Sequence, residues 1–214
     1  VDPEGGIQPM IKIIEGRKYT LIYNGELYNT DDLRAELKKC GHDFDSYSDT
    51  EVLLTSYIEW GKDCVNKLIG IFAFAVYDEY NKEVFLARDQ MGVKPLFYTI
   101  VNNTVIFGSE IKTVLAHPDV KAEIDKESIT EIFGLGPAVI PGSGVFKNIK
   151  EIAPANCMLI SRDNNIKKWE YWTLKAEEFK ETAQEAIAHT RELITNAIIR
   201  QLVGDVPVCT LDRK

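Results

Sequence analysis

Tyr23-Asn-Gly-Glu-Leu-Tyr-Asn29 follows directly on a short apolar run, Tyr19-Thr-Leu-Ile-Tyr23. An Asn-Gly pair at a strand end is a hairpin signal, and it predicts a sharp turn because glycine tolerates positive φ. A turn there would expose the backbone amide of Gly25 and the side-chain amide of Asn24. Two neutral donors side by side form an oxyanion hole, the device that stabilises charge developing on an attacked carbonyl. Glu26 adds a carboxylate able to grip a cationic group. Ser48-Asp49-Thr50-Glu51 supplies a second acidic site at an expected helix start. Such a set suits a small amino acid whose amide carbonyl is attacked and whose ammonium group must be held.

These residues need a frame. Thr30–Cys40 reads as a helix with acids in its first turn, bases in its last and Gly41 beyond it. Ser48-x-x-Glu51 has the form of a capping box opening a helix that runs through Trp60 to Gly61. Ile69–Asp78 with Glu83–Arg88, Leu96–Val101 with Thr104–Gly108, and Cys157–Arg162 with Ile166–Tyr171 read as three hairpins. Ser109–Ala116 and Asp125–Phe133 read as short helices, with Ser109, Glu110 and Lys112 at the start of the first and Gly134 after the second. Ala138–Gly144 is a Pro/Gly-rich loop, and the charged Lys175–Glu181 a linker. Thr182–Leu202 sets Ile187, Ile194, Ile198 and Leu202 near one helix face, and Asp205–Leu211 reads as a buried strand of a second domain. Strand pairs with helices grouped between them predict an α+β layering.

With 214 residues, 45% of them apolar, the chain can bury a core in one domain with length to spare. A net charge of −8 argues against nucleic acid or an anionic membrane surface as partner. No apolar run reaches the length of a membrane span, and Val1–Gly6 lacks the features of a signal peptide. Cys40, Cys64, Cys157 and Cys209 are far apart, which fits idle thiols in a reducing cytosol and neither a zinc site nor a disulfide framework. His42, His117 and His189 show no metal-ligand spacing, so no metal is expected.

Beyond Tyr23–Asn29 and Ser48–Glu51 come Gly70-Ile-Phe-Ala-Phe-Ala-Val-Tyr-Asp78, Ala87-Arg-Asp-Gln-Met-Gly-Val-Lys-Pro-Leu-Phe-Tyr98 and Gly108-Ser-Glu-Ile-Lys112. In this order and at this spacing they resemble the glutaminase domain of class II glutamine amidotransferases, most closely that of the glutamine-hydrolysing asparagine synthetases. The resemblance implies the four-layer α-β-β-α sandwich of the N-terminal nucleophile hydrolases over residues 1–170, a linker over 171–181, and the beginning of an α/β synthetase domain over 182–214. It implies Asn24 and Gly25 as oxyanion donors and Glu26 and Asp49 as the carboxylates that bind the α-ammonium of L-glutamine. Val1 would end a stretch lining the glutamine pocket, and Leu211 would stand beside ATP. No cofactor is implied for this part; ATP, Mg²⁺ and L-aspartate belong to the synthetase domain of an intact cytoplasmic enzyme, for which a homodimer is open. Arg88 and Asp89 are expected to fix a strand connection, and Tyr23 and Tyr28 to serve equally well in the core.

The family's nucleophile is a terminal cysteine, activated by its own α-amino group, whose pKa lies near 8. Val1 stands in no such role, and the chain ends Asp212-Arg213-Lys214 where the family continues into a pyrophosphate-binding loop. The resemblance therefore implies an internal piece of a longer enzyme, inactive as a glutaminase when made as written. A non-catalytic binding module of the same fold, or an amidotransferase with another acceptor, are the competing readings. Tyr23 stands where phosphoribosyl-pyrophosphate-dependent relatives usually carry histidine, which favours the synthetases.

Overall fold

Glu15 and Gly16 both adopt positive φ, 50° and 76°, as a two-residue hairpin turn requires. They join β1 (Met10–Ile14) to β2 (Arg17–Leu27), which pair in antiparallel register from Met10 opposite Leu21 to Ile14 opposite Arg17. The computed structural model describes residues 2, 4–136, 140–178 and 180–202. The other strands are β3 (Gly70–Asp78), β4 (Glu83–Arg88), β5 (Phe97–Val101), β6 (Thr104–Gly108), β7 (Lys150–Glu151), β8 (Asn156–Ile160) and β9 (Ile166–Glu170). The helices are α1 (Thr30–Lys39), α2 (Asp49–Trp60), α3 (Ile111–Leu115), α4 (Lys126–Leu135) and α5 (Ala183–Gln201), with a 3₁₀ segment at Gly61–Asn66.

All three expected hairpins form. Asn102 and Asn103, both at positive φ, close the one between β5 and β6. The strands make two antiparallel sheets, one of order β1-β2-β3-β4-β8-β9 and one of order β6-β5-β7. Alternation along the central strands builds two cores. Phe72, Phe74 and Val76 of β3, Phe85 and Ala87 of β4, and Cys157 and Leu159 of β8 pack against Leu33 and Leu37 of α1 and Val52, Leu53 and Tyr57 of α2. Ala73, Ala75, Leu86, Met158 and Ile160 face the other way, onto Leu96 and Tyr98 at the second sheet. α3 lies against β5 and β6. The order is helix, sheet, sheet, helix, as the resemblance implies. Large aromatics on one side of β3 and alanines on the other make the two interfaces unequal, and burying one Phe contributes about 1.5–3 kcal/mol.

Several local expectations need correction. The helix expected to stop at Phe133 continues to Leu135, and Gly136, at φ 63°, ends it. Gly134 is helical. The capping box at Ser48-x-x-Glu51 does not form. Ser48 caps α2 by accepting from Thr50 N–H at 3.1 Å, whereas Glu51 turns to Asp45 N–H, Ser46 N–H, Ser46 Oγ and, at 2.8 Å, Lys12 Nζ. The charged β1 lysine outbids the helix end for this carboxylate. A reciprocal capping box does occur at α5, between Thr182 and Glu185. No side chain of α5 is buried. The strand expected over Asp205–Leu211, Cys209, and Ala138 and Val139 of the Pro/Gly-rich loop lie outside the described residues.

Candidate active site on the edge of β2

Asn24-Gly25 is not a turn. Both residues lie inside β2, with Asn24 opposite Ala73, Gly25 opposite Phe72 and Glu26 opposite Ile71 of β3. Gly25 is not at positive φ, so its glycine answers to a different need. A Cβ there would stand 2.2 Å from the Ile71 carbonyl oxygen and 2.8 Å from Phe72 Cα. Those neighbours are backbone and cannot swing aside. Gly25→Ala is therefore expected to destabilise the chain by about 1–3 kcal/mol or more, read as a lower denaturant midpoint; an unchanged midpoint would show that β3 does not crowd this position.

β1 pairs with β2 only as far as Leu21, which lies opposite Met10, the first residue of β1. From there to Leu27, β2 has a strand partner on one side only among the described residues. Tyr23 N–H turns to this bare edge and donates to Gln8 Oε1 at 2.6 Å; Leu27 N–H does the same to Asp49 Oδ2 at 3.2 Å. Strand alternation aims Gly25 N–H along the same edge, between those two, and no described group accepts it. Beside it the exposed Asn24 donates Nδ2 to Ser109 Oγ at 3.3 Å. Asn24 and Ser109 share a cleft of about 140 Å³ with Gln8, Ala73 and Ala75. Asn24 lines this cleft and Gly25 does not; the two are consecutive residues of β2, and among the described residues the Gly25 N–H has no acceptor.

With Ser48 serving as cap, Asp49 is released for other work. It sits in the first turn of α2, where the helix dipole favours negative charge. Its Oδ2 accepts from Tyr23 Oη at 2.9 Å as well as from Leu27 N–H. Burial, then the charge and hydrogen bond of Asp49, then the charge of Glu26 push the Tyr23 phenol far above its usual pKa. It stays a proton donor to Asp49, and the fields of both acids converge on it. Glu26 is exposed and makes no hydrogen bond or ion pair among the described residues. The Asp2 carboxylate accepts from Gly5 N–H at 2.9 Å and Tyr47 N–H at 3.0 Å, which staples the first residues to the loop before Asp49. Val1 and Leu211 lie outside the described residues.

The frame is rigidly made. Asp89, 1% exposed, accepts from Phe72, Met91, Val93 and Lys94 N–H groups. Arg88 donates to the carbonyls of Lys94, Gly92 and Ile152 and pairs with Glu151 at 2.9 Å. Both fix the connection after β4, as their sequence position led us to expect. Asn29 clamps the start of β3, donating to Lys67 O and accepting from Ile69 N–H. Ser109 does not cap α3; the N-cap position belongs to Glu110, which makes no side-chain cap. Gln8 and the Asp49 link of Tyr23 went unread in the sequence, and Ser109 was read only as part of a helix start.

Burial pushes the thiols of Cys64 and Cys157 up, and burial together with Glu59 does so for Cys40, so no described cysteine is poised as a nucleophile. Among the described residues no cluster of three or more His, Cys, Asp or Glu is placed to hold a metal ion, and no helix is long and apolar enough to cross a membrane.

The chain is 55% identical over 210 residues to asparagine synthetase (glutamine-hydrolyzing) 3 of Bacillus subtilis, covering 98% of this chain and 34% of that protein. It is 33% identical over 209 residues to asparagine synthetase (glutamine-hydrolyzing) 1 of the same organism, covering 97% and 32%. The chain thus spans about a third of the length of these curated relatives. Among solved structures, the glutamine phosphoribosylpyrophosphate amidotransferase from B. subtilis superposes with a TM-score of 0.57 at 20% identity, over 81% of this chain and 34% of that one. At that identity the likeness establishes the fold, which is that of the N-terminal nucleophile amidotransferases. The family model described as glutamine amidotransferase domain matches residues 1–172, and the chain belongs to that family.

Proposed function

We propose that the chain is the glutaminase part of an asparagine synthetase, a cytoplasmic enzyme that hydrolyses L-glutamine and passes the ammonia to an ATP-dependent amidation of L-aspartate. One observation carries the reading. Of three outward N–H groups on the edge of β2, the outer two are held by Gln8 and Asp49, and the middle one, on Gly25, has no acceptor among the described residues, next in sequence to Asn24, whose exposed amide also serves as a donor. In the proposed reaction a thiolate attacks the side-chain amide carbon, and the carbonyl oxygen takes up negative charge. Gly25 N–H and Asn24 Nδ2 stabilise that charge. The amide nitrogen takes up the proton that the terminal amine removed from the thiol, the C–N bond breaks and ammonia leaves; water then hydrolyses the thioester, releasing glutamate and returning the thiol. Asp49 and Glu26 hold the α-ammonium, so only a free amino acid is well bound. The nucleophile is a terminal cysteine by resemblance, and ATP and Mg²⁺ belong with the synthetase part that begins near residue 182, after a linker at 171–181.

Asp49→Asn tests this in the intact enzyme. One amide oxygen can keep the bonds from Tyr23 and Leu27, so thermal stability should hardly move, while the charge is lost. A charge-assisted hydrogen bond contributes about 1.5–3 kcal/mol, and the glutamine KM should rise about tenfold or more. Activity with free ammonia should be kept. A normal glutamine KM would retire the assignment of Asp49 to the substrate.

A further inference from the structure

The oxyanion donor on β2 is tethered to the other sheet. Asn24 Nδ2 carries two N–H bonds, and one of them reaches Ser109 Oγ at 3.3 Å, across 85 residues of sequence. Ser109 follows the last residue of β6 and is half-buried at the β6–α3 junction. That junction is tight. Gly108 pairs with Phe97 of β5, and a Cβ on it would lie 3.1 Å from Thr113 Cγ2. Ser109 is not consumed by α3, whose cap it does not make.

An exposed asparagine on a strand has free rotation about two side-chain torsions, and an oxyanion donor that rotates gives up much of its preorganisation. Spending one N–H on a hydroxyl held by a separate sheet fixes the amide plane and leaves the second N–H for a ligand. Resting on the glutaminase reading above, we infer that Ser109 is a positioning residue for the oxyanion hole, holding the Asn24 amide in register with Gly25 N–H. The serine touches neither substrate nor nucleophile. It acts through Asn24.

The test is a double-mutant cycle in the intact enzyme, with glutamine and with free ammonia as nitrogen source. Ser109→Ala should lower the glutaminase kcat about fivefold, the loss of one neutral hydrogen bond, with glutamine KM within twofold and ammonia-dependent synthesis unchanged. Ser109→Thr keeps the hydroxyl and should restore kcat. In an Asn24→Ala background, Ser109→Ala should cost nothing more, since the group it positions is gone. If Asn24→Ala is slow but Ser109→Ala hydrolyses glutamine at the normal rate, the inference fails and the glutaminase reading stands. If Ser109→Ala loses the same factor in the Asn24→Ala background, or loses ammonia-dependent synthesis in parallel, Ser109 is a structural residue and the inference also fails. If Asn24→Ala itself hydrolyses glutamine normally, the oxyanion reading falls and takes Ser109 with it.

Discussion

Asn24→Ala in the intact enzyme is expected to slow glutamine hydrolysis by about 10²–10³-fold, the loss of about 2.7–4 kcal/mol that follows removal of one oxyanion donor. The ladder of β2 is built from backbone groups, and the Asn24 side chain is exposed. Its truncation should therefore leave the fold and the glutamine KM close to normal. Ammonia supplied in solution needs no oxyanion hole, so synthesis driven by it should continue. Steady-state kinetics with the two nitrogen sources separates the outcomes. A parallel fall in both activities would make Asn24 a folding residue.

A comparable energy is expected at the pair of Lys12 and Glu51, but in stability. The Glu51 side chain is 3% exposed and Lys12 15%, with 2.8 Å between them. Lys12 also reaches Thr55 Oγ1 at 3.2 Å. Lys12→Met leaves a buried carboxylate without its cation, at a cost of about 3–5 kcal/mol near neutral pH. Burial tends to raise the Glu51 pKa, yet the bonds from Lys12, Ser46 and Asp45 outweigh it and hold the carboxyl below its ordinary value. A depressed carboxylate stabilises the fold above its unfolded pKa, about 4.3, and that contribution fades as pH falls through the folded value. Without Lys12 the bonds from Ser46 and Asp45 alone oppose burial, so the carboxyl is held less low, and the penalty for losing the cation shrinks as acid protonates Glu51. The gap between the two proteins should thus be widest near pH 7 and narrow towards about pH 4, where glutamic acids take up protons. Denaturant unfolding at both pH values decides it. A gap of equal size at each would rule out the ion pair as its origin.

Much of the architecture could be read from local patterns. The three hairpins, the two helices before β3 and the α5 helix each have a period and a terminator within reach of one another. The failures share a cause, which is that the deciding partner is distant in sequence. Asn24-Gly25 carries the composition of a turn, and the small residue is required because β3 crosses some 46 residues later, Gly25 lying opposite Phe72 with Ile71 O against it. Glu51 has the spacing of a capping box and is drawn off by Lys12, on a strand the sequence did not announce. Met10–Ile14 is short and only weakly alternating, so β1 shows itself through the Glu15-Gly16 turn more than through its own residues. Asn24, Gly25, Glu26 and Asp49, the residues of the proposed site, could be singled out from the sequence by their chemistry. Gln8 and Ser109 could not, because a hydroxyl and an amide gain meaning only once the edge of β2 is placed beside them.

The bare edge of β2 has a consequence for what the protein keeps out. An unpaired strand margin is a template on which another chain can add itself, and such an addition needs every second N–H along the margin. Here Gln8 and Asp49 already occupy the donors of Tyr23 and Leu27 on either side of Gly25. A visiting polypeptide would have to evict both, one of them a carboxylate facing its own carbonyl oxygens. A single carbonyl oxygen on a small molecule needs to displace neither. On the proposed reading the margin sorts its visitors by length, open to an amino acid and shut to a strand.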